Sequence, residues 1–137
     1  MTTIFTKIIA REVPADIIYE DDHVLAFLDI APLQPGHTLV IPKNPSENGL
    51  SATPEELAHI VKVGQTVAQA LTKTLNCDGV NFLMNNGAAA GQKVFHTHLH
   101  IIPRYTDDGV YEEPIHGEYE EGEAEDLANL LKAELQS

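Results

Sequence analysis

A chain of 137 residues and 15.0 kDa fits one domain, and 43% hydrophobic with 21% charged residues is an ordinary globular composition. The net charge of −13 argues against nucleic acid as a partner, because duplex binding requires Lys and Arg to displace counterions. Cys77 is the only cysteine, which excludes a disulfide framework and an all-cysteine metal site, and no apolar run approaches the ~18 residues of a membrane span. We therefore expect a cytoplasmic protein without a membrane segment.

The hydrophobic pattern predicts eight elements in the order α-β-β-β-α-β-β-α. Thr53, Pro54 and Glu56 form the start signal of the longest helix, with an N-cap, a proline at the first position and a capping box. The fold class is therefore α+β: an antiparallel sheet of about five strands with one long central helix and short terminal helices. The first predicted element is a short helix that carries Ile4, Phe5, Ile8 and Ile9 and is closed near Pro14. The others are strands at Ile17–Tyr19, Val24–Leu28 and His37–Ile41, the long helix Pro54–Asn76, strands at Gly79–Asn85 and His96–Pro103, and a last helix carrying Leu127, Leu130, Leu131 and Leu135.

Charge is distributed unevenly along the chain. Residues 1–106 have a net charge of −3, whereas residues 107–137 have eleven acidic residues against Lys132 and a net charge of −10. We predict a domain over 1–106 that can bind a small phosphate ligand. We expect 107–137 to be an acidic segment that ends in a short helix packed on the same domain.

Three histidines alternate in the segment His96-Thr97-His98-Leu99-His100. Side chains two apart in a strand point to the same face, so the imidazoles are expected to form one row while Leu99 and Ile101 face a core. A neutral imidazole presented in this way is a nucleophile whose neighbours fix its tautomer. Attack on phosphorus gives a phosphorus–nitrogen bond that water later breaks.

A metal site is the sharper alternative. Two adjacent histidines could share an ion, but the first and third lie ~13 Å apart along a strand, too far to converge on a zinc ion that needs nitrogens at ~2.0–2.1 Å. No cysteine or carboxylate at ligand spacing completes the set. The sequence therefore predicts no metal and no other cofactor.

The segment from His96 to Ile102 resembles the histidine triad signature. Further matches are Gly91-Gln92-Lys93-Val94 before it, Asp29-Ile30-Ala31-Pro32, and Gly36-His37 followed by Leu39-Val40-Ile41-Pro42-Lys43. The similarity runs from about Ile4 to Arg104 and is closest to the Hint branch of the histidine triad (HIT) superfamily.

The resemblance implies a HIT-like fold, a purine nucleotide ligand and a role for each matched position. His98 is the implied nucleophile, His100 contacts the α-phosphate, and His96 and His37 complete the catalytic cluster. The implied nucleotide-binding residues are Asp29 for the ribose hydroxyls, Ile30 for the base, and Asn85, Gly91, Gln92 and Lys93 around the phosphate.

Two positions depart from the family pattern. Lys93 stands where relatives have Ser or Thr, which puts the leaving-group preference in doubt. Some bacterial relatives hold a structural zinc ion with a C-x-x-C pair, but this chain has Thr3-Ile4-Phe5-Thr6 there, so that site is expected to be lost.

By resemblance, the expected activity is hydrolysis of a nucleoside phosphoramidate or similar adenylyl bond through a nucleotidyl-histidine intermediate. The alternatives are a dinucleoside polyphosphate hydrolase of the Fhit type and a nucleotide-binding scaffold with vestigial hydrolysis. The family also implies a symmetric homodimer, with the long helix and the strand after it at the interface.

Overall fold

The structure, a computed structural model, describes residues 2–111 and 113–137; Met1 and Glu112 lie outside the described residues. The predicted order of elements and the α+β class are confirmed. The helices are α1 (Ile4–Ile9), α2 (Pro54–Leu75) and α3 (Glu123–Leu135), with a 3₁₀ turn at Ala88–Ala90, and the strands are β1 (Ile17–Glu20), β2 (Val24–Leu28), β3 (Thr38–Pro42), β4 (Gly79–Leu83) and β5 (Leu99–Arg104).

The five strands form one antiparallel sheet in the order β1-β2-β3-β5-β4. β5 lies between β3 and β4, and His100 is opposite Leu39 on one side and Leu83 on the other. β5, which begins just after His98 and contains His100, is therefore held from both sides.

The sheet separates two hydrophobic clusters. Alternation puts Leu99 and Ile101 of β5 on the α2 face, as predicted, and leaves the opposite face of β5 to the histidines. The α2 cluster contains Val24, Ala26, Val40, Ile60, Val63, Val67, Leu71, Leu99 and Ile101, and the α1 cluster contains Phe5, Ile8, Leu25, Phe27, Leu39 and Ile41. Among the described residues, no helix is long and apolar enough to cross a bilayer.

Helix α2 begins at Pro54 as predicted, but only the Thr53 half of the predicted capping box is seen among the described residues, since the Glu56 side chain accepts from Asn44 Nδ2 at 3.0 Å. The Thr53 hydroxyl accepts a hydrogen bond from the Glu56 N–H at 3.1 Å, and Asn76 closes the helix in the left-handed conformation. Gly64 lets the helix approach β5, because a Cβ there would lie 3.0 Å from Leu99 Cδ2 and 3.1 Å from Ile101 Cδ1. The helix thus packs directly behind the residues that flank His98 and His100.

The predicted start of the triad strand is wrong by three residues, since β5 begins at Leu99 rather than His96. The Thr97 N–H donates to the Ser46 carbonyl at 2.8 Å, and the two hydroxyls are 2.6 Å apart, so this segment is fastened to the loop after β3. β3 begins one residue later than predicted, and β4 ends at Leu83, before Asn85.

The last helix does not pack on its own domain, contrary to expectation. Every described residue from 113 to 137 is exposed, and Leu130 and Leu135 keep 70% and 85% of their surface accessible. The helix forms over Glu123–Leu135 with its leucines on one side, but no other element of the same chain covers them. The division at residue 106 stays a prediction.

Candidate active site

His37 and His100 meet on the face of the sheet that carries α1. His37 precedes β3 and shares a face with Leu39, which is opposite His100, so the two histidines are diagonal neighbours. Their rings lie 5.1 Å apart between centroids, and His37 Nε2 is 2.9 Å from His100 Nδ1. The structure therefore brings His37 into direct contact with His100, while the catalytic roles implied for both histidines stay predictions.

The backbone fixes which nitrogen of each ring carries the proton. The Leu33 N–H donates to His37 Nδ1 at 3.1 Å, which makes that nitrogen an acceptor. A neutral His37 then carries its proton on Nε2 and donates it to His100 Nδ1. His100 is left with its proton on Nε2, where it can be donated to a ligand.

His98 has the opposite arrangement. Its Nδ1 lies 2.7 Å from the carbonyl oxygen of His96, which can only accept, so Nδ1 carries the proton. The lone pair of neutral His98 is therefore on Nε2. The ring sits edge-on between two others, with centroids 4.9 Å from that of His100 and 5.1 Å from that of Phe5.

Burial keeps the cluster uncharged. Desolvation lowers the pKa values of His37, His96 and His98 below the usual 6.5, and Asp29 opposes this only weakly at His37 and His98. For His100, burial together with repulsion from His98 and His37 lowers the pKa to about 4. At neutral pH the site therefore presents one imidazole lone pair on His98 and one N–H on His100.

Like His98, whose ring also meets that of Phe5 edge-on, His96 lies before β5. Its side chain is fully buried beside Phe5, with 5.8 Å between ring centroids, and its Nε2–H donates to the Pro42 carbonyl at 2.8 Å. Its Nδ1 finds no hydrogen-bond partner among the described residues. Its position fits a residue that orients the His98 segment rather than one that touches a ligand.

Asp29 lies beside the histidine pair at the end of β2. Its Oδ1 accepts the Ala31 N–H at 2.9 Å, and its Oδ2 is 3.7 Å from His37 Nε2. Ile30, the next residue, is fully exposed at the mouth of the site. The implied roles toward ribose and base remain predictions.

The loop before the triad is closed by its own hydrogen bonds. Gly91 N–H and Gln92 N–H donate to the carbonyls of Ala88 and Gly87 within the turn. The buried Gln92 side chain accepts from Gly87 N–H and donates to the Glu47 and Val94 carbonyls. The phosphate contacts expected from Gly91 and Gln92 stay predictions, and the Gln92 side chain connects two loops.

Asn85 and Lys93 remain candidate ligands of the phosphate. Asn85 lies beside Gly91, whose φ of +96° requires a glycine, and a Cβ there would be in ordinary contact with Asn85 Nδ2 at 3.5 Å. Lys93 is exposed and lines a shallow depression together with Thr3 and Glu47. Their roles toward phosphate are still predictions.

The spacing of Asp29, His37 and His100 would allow a metal ion, since one ligand atom from each lies within 4.8 Å of the others. The hydrogen bonds do not suit one. A histidine that ligates through Nε2 normally donates its Nδ1–H, but here Nδ1 of His37 receives the Leu33 N–H. The donor set therefore favours a proton between His37 and His100 over a metal ion.

Four groups that position the histidines and fix their tautomers were not identified from the sequence. They are the Leu33 N–H, the carbonyls of Pro42 and His96, and the ring of Phe5. Backbone groups have no residue-specific signal. For Leu33, a signal was available in the prolines at positions 32 and 35, which restrict the loop that carries its N–H.

Comparison with known proteins matches residues 10–107 to the HIT domain. A HIT-like protein of Methanocaldococcus jannaschii is 51% identical over 106 residues, covering 77% of this chain and 81% of its own. The crystal structure of a HIT family protein from Bacillus anthracis is 40% identical with a TM-score of 0.88, covering 96% of this chain and 95% of its own. That of a hypothetical histidine triad nucleotide-binding protein from Sulfolobus tokodaii is 36% identical with a TM-score of 0.75, covering 98% of this chain and 92% of its own.

Proposed function

Because the chain belongs to the HIT domain family, we propose that it is a nucleotide-binding hydrolase that cleaves a bond at the α-phosphate of a purine nucleotide. The leading substrate class is a nucleoside phosphoramidate or a similar adenylyl compound. His98 is the nucleophile, and the intermediate is a nucleotidyl-histidine.

The observation that carries this proposal is the state of His98. Its Nδ1–H is held by the His96 carbonyl at 2.7 Å, and burial lowers its pKa. The ring is thus neutral at physiological pH, with a lone pair on Nε2. This is the state that nucleophilic catalysis by histidine requires.

The reaction then proceeds in two displacements. In the first, His98 Nε2 bonds to the α-phosphorus, the bond to the leaving nitrogen breaks with its electron pair on that nitrogen, and the nitrogen takes up a proton from solvent. In the second, a water oxygen attacks the same phosphorus and the electron pair of the P–N bond returns to His98 Nε2. One proton of that water goes to solvent and the other stays on the phosphate. No metal takes part in either step.

The residues around His98 each bind a different part of the nucleotide. The Nε2–H of His100 is a donor for an oxygen of the α-phosphate, and His37 holds it in that tautomer. Asp29 would bind the ribose hydroxyls, Ile30 would cover the base, and Asn85 and Lys93 would contact the phosphate. The family and the nucleotide-binding relative from Sulfolobus tokodaii support a nucleotide ligand.

We further propose a symmetric, cytoplasmic homodimer that meets through α2 and β4. β4 is an edge strand of the sheet, and Val61 on α2 and Phe82 on β4 are 48% and 43% exposed in the single chain. Unpaired strand edges and exposed apolar side chains are surfaces that proteins normally cover.

The test is His98→Ala with an adenosine phosphoramidate as substrate. We expect turnover to fall below detection while the affinity for the nucleotide stays within tenfold, because other groups bind ribose and phosphate. His116→Ala is the matched control, since His116 is highly exposed in the acidic segment. Turnover by His98→Ala within tenfold of wild type would contradict the mechanism.

Product analysis separates the alternatives. The same preparation is given an adenosine phosphoramidate and a diadenosine polyphosphate, and preference for the second favours a hydrolase of the Fhit type. Nucleotide binding without His98-dependent turnover of either favours a scaffold.

A further inference from the structure

The C-terminal helix α3 is exposed along its whole length and is not covered by the other described residues of its chain. It spans thirteen residues, and Leu127, Leu130, Leu131 and Leu135 lie on one side of it with 43%, 70%, 54% and 85% of their surface exposed. Helices shorter than ~12–15 residues are marginal alone in water, and Gly122 provides no side-chain cap here. A surface outside the chain is therefore needed to hold this leucine stripe.

The position of this helix is shared with a solved relative. Residues 113–137 make up about 18% of the chain. A superposition with another protein that left them out could therefore include at most about 82% of the residues of this chain. The Bacillus anthracis protein superposes on 96% of the chain with a TM-score of 0.88 at 40% identity. The surface that covers this helix must therefore be available to both proteins. A second copy of the same chain meets this requirement for each of them.

The outer face of α2 has the complementary charge. Helix α3 has a net charge of −3, whereas α2 has no acidic residue after Glu56 and exposes Lys62 and Lys73. Neither lysine joins an ion pair within the described residues. A shallow groove on this face is lined by Gln65, Ala68, Gln69, Thr72 and Lys73, and it adjoins the dimer surface proposed above.

We propose that α3 of one copy docks its leucine stripe on the outer face of α2 in a second copy, with the acidic side of α3 toward Lys62 and Lys73. The inference rests on the homodimer of the proposed function and adds an exchanged helix to it. It also gives the acidic segment a role, since the charge placed there would otherwise repel a second copy.

Hydrogen exchange tests the docking directly. In the dimer, the amides of α3 should be protected at least tenfold relative to Leu130→Asp and should lose protection on dilution below the dimer dissociation constant. Ile115→Asp is the matched control, because Ile115 is fully exposed but lies outside the helix. Its protection of α3 should equal that of wild type.

Cross-linking identifies the surface. In a mixture of ¹⁴N- and ¹⁵N-labelled protein, links from Lys132 to Lys62 or Lys73 should include mixed-isotope pairs, and Lys73→Glu should weaken the dimer severalfold. A dimer by light scattering with fast exchange in α3, or links from Lys132 within one copy only, would overturn this inference and leave the hydrolase intact. A monomer would overturn both the docking and the homodimer, while the His98→Ala assay would still decide the chemistry.

Discussion

Acid should destabilise the fold through His100. This histidine lies between His98 and His37, and burial with repulsion from both neighbours lowers its pKa to about 4. The unfolded chain binds a proton at this position as pH falls through about 6.5, but the folded chain does not until about pH 4. The contribution of neutral His100 to stability is therefore fully present above pH 6.5 and is lost as pH falls towards 4.

The magnitude follows from the shift. Each pKa unit corresponds to about 1.4 kcal/mol, so a shift from 6.5 to about 4 gives at most about 3 kcal/mol between pH 7 and pH 4. That is a large part of the 5–15 kcal/mol by which a domain of this size is usually stable.

The assay is urea unfolding at constant ionic strength from pH 7 to pH 4, for the wild type and for His100→Asn. Carboxylates titrate in both proteins, so their contribution cancels in the difference between the two curves of unfolding free energy against pH. That difference reports the titration of His100 and its effect on the titration of His37 and His98. We expect the wild type to lose about 3 kcal/mol relative to the variant over this range. Parallel curves would refute the reasoning.

Exhaustive chelation should leave full activity, and elemental analysis should find less than one zinc per chain. The reason is that His37 Nδ1 accepts the Leu33 N–H, which does not suit a histidine that binds a metal through Nε2. Loss of activity that a divalent ion restores would contradict this. Gln92→Ala should cost about 1–3 kcal/mol in denaturant unfolding, since it removes the buried side chain that bonds three partly buried backbone groups. The exposed Gln65→Ala should cost less than about 0.5 kcal/mol. Lys93→Ala should weaken nucleotide binding by at most about 1 kcal/mol, an effect that salt removes and that nucleoside binding does not show. Lys93→Ser should alter the ranking of amine and phenol-like leaving groups, and identical rankings and affinities in all three proteins would make Lys93 a surface residue only.

Local signals predicted the elements of this fold well. The start of α2 at Thr53-Pro54 and the apolar run of β2 depend only on residues that are neighbours in the sequence. Both elements begin where predicted. The start of the triad strand was not predictable in this way, because His96 and Thr97 are drawn out of the ladder by Pro42 and Ser46, which lie more than fifty residues away.

The sequence was enough to predict which side chains form the site, but not which nitrogen of each histidine carries the proton. Alternation placed Leu99 and Ile101 in the core, and the family pattern added His37 and Asp29 to the cluster. The tautomers depend on the Leu33 N–H and the His96 carbonyl, and Gln92 is turned inward by its contacts with distant loops. The exposure of α3 could not be seen either, because an apolar stripe does not say whether its own chain or another covers it.

The hydrogen bond between His98 and the carbonyl of His96 has a consequence for the lifetime of the intermediate. Once Nε2 carries phosphorus, the ring is cationic, and a carbonyl dipole stabilises that cation less than the carboxylate found beside the histidine of serine proteases. A less stabilised cation is a better leaving group. The nucleotidylated protein should therefore be short-lived, and an enzyme built this way passes its nucleotide promptly to water instead of storing it as a durable modification.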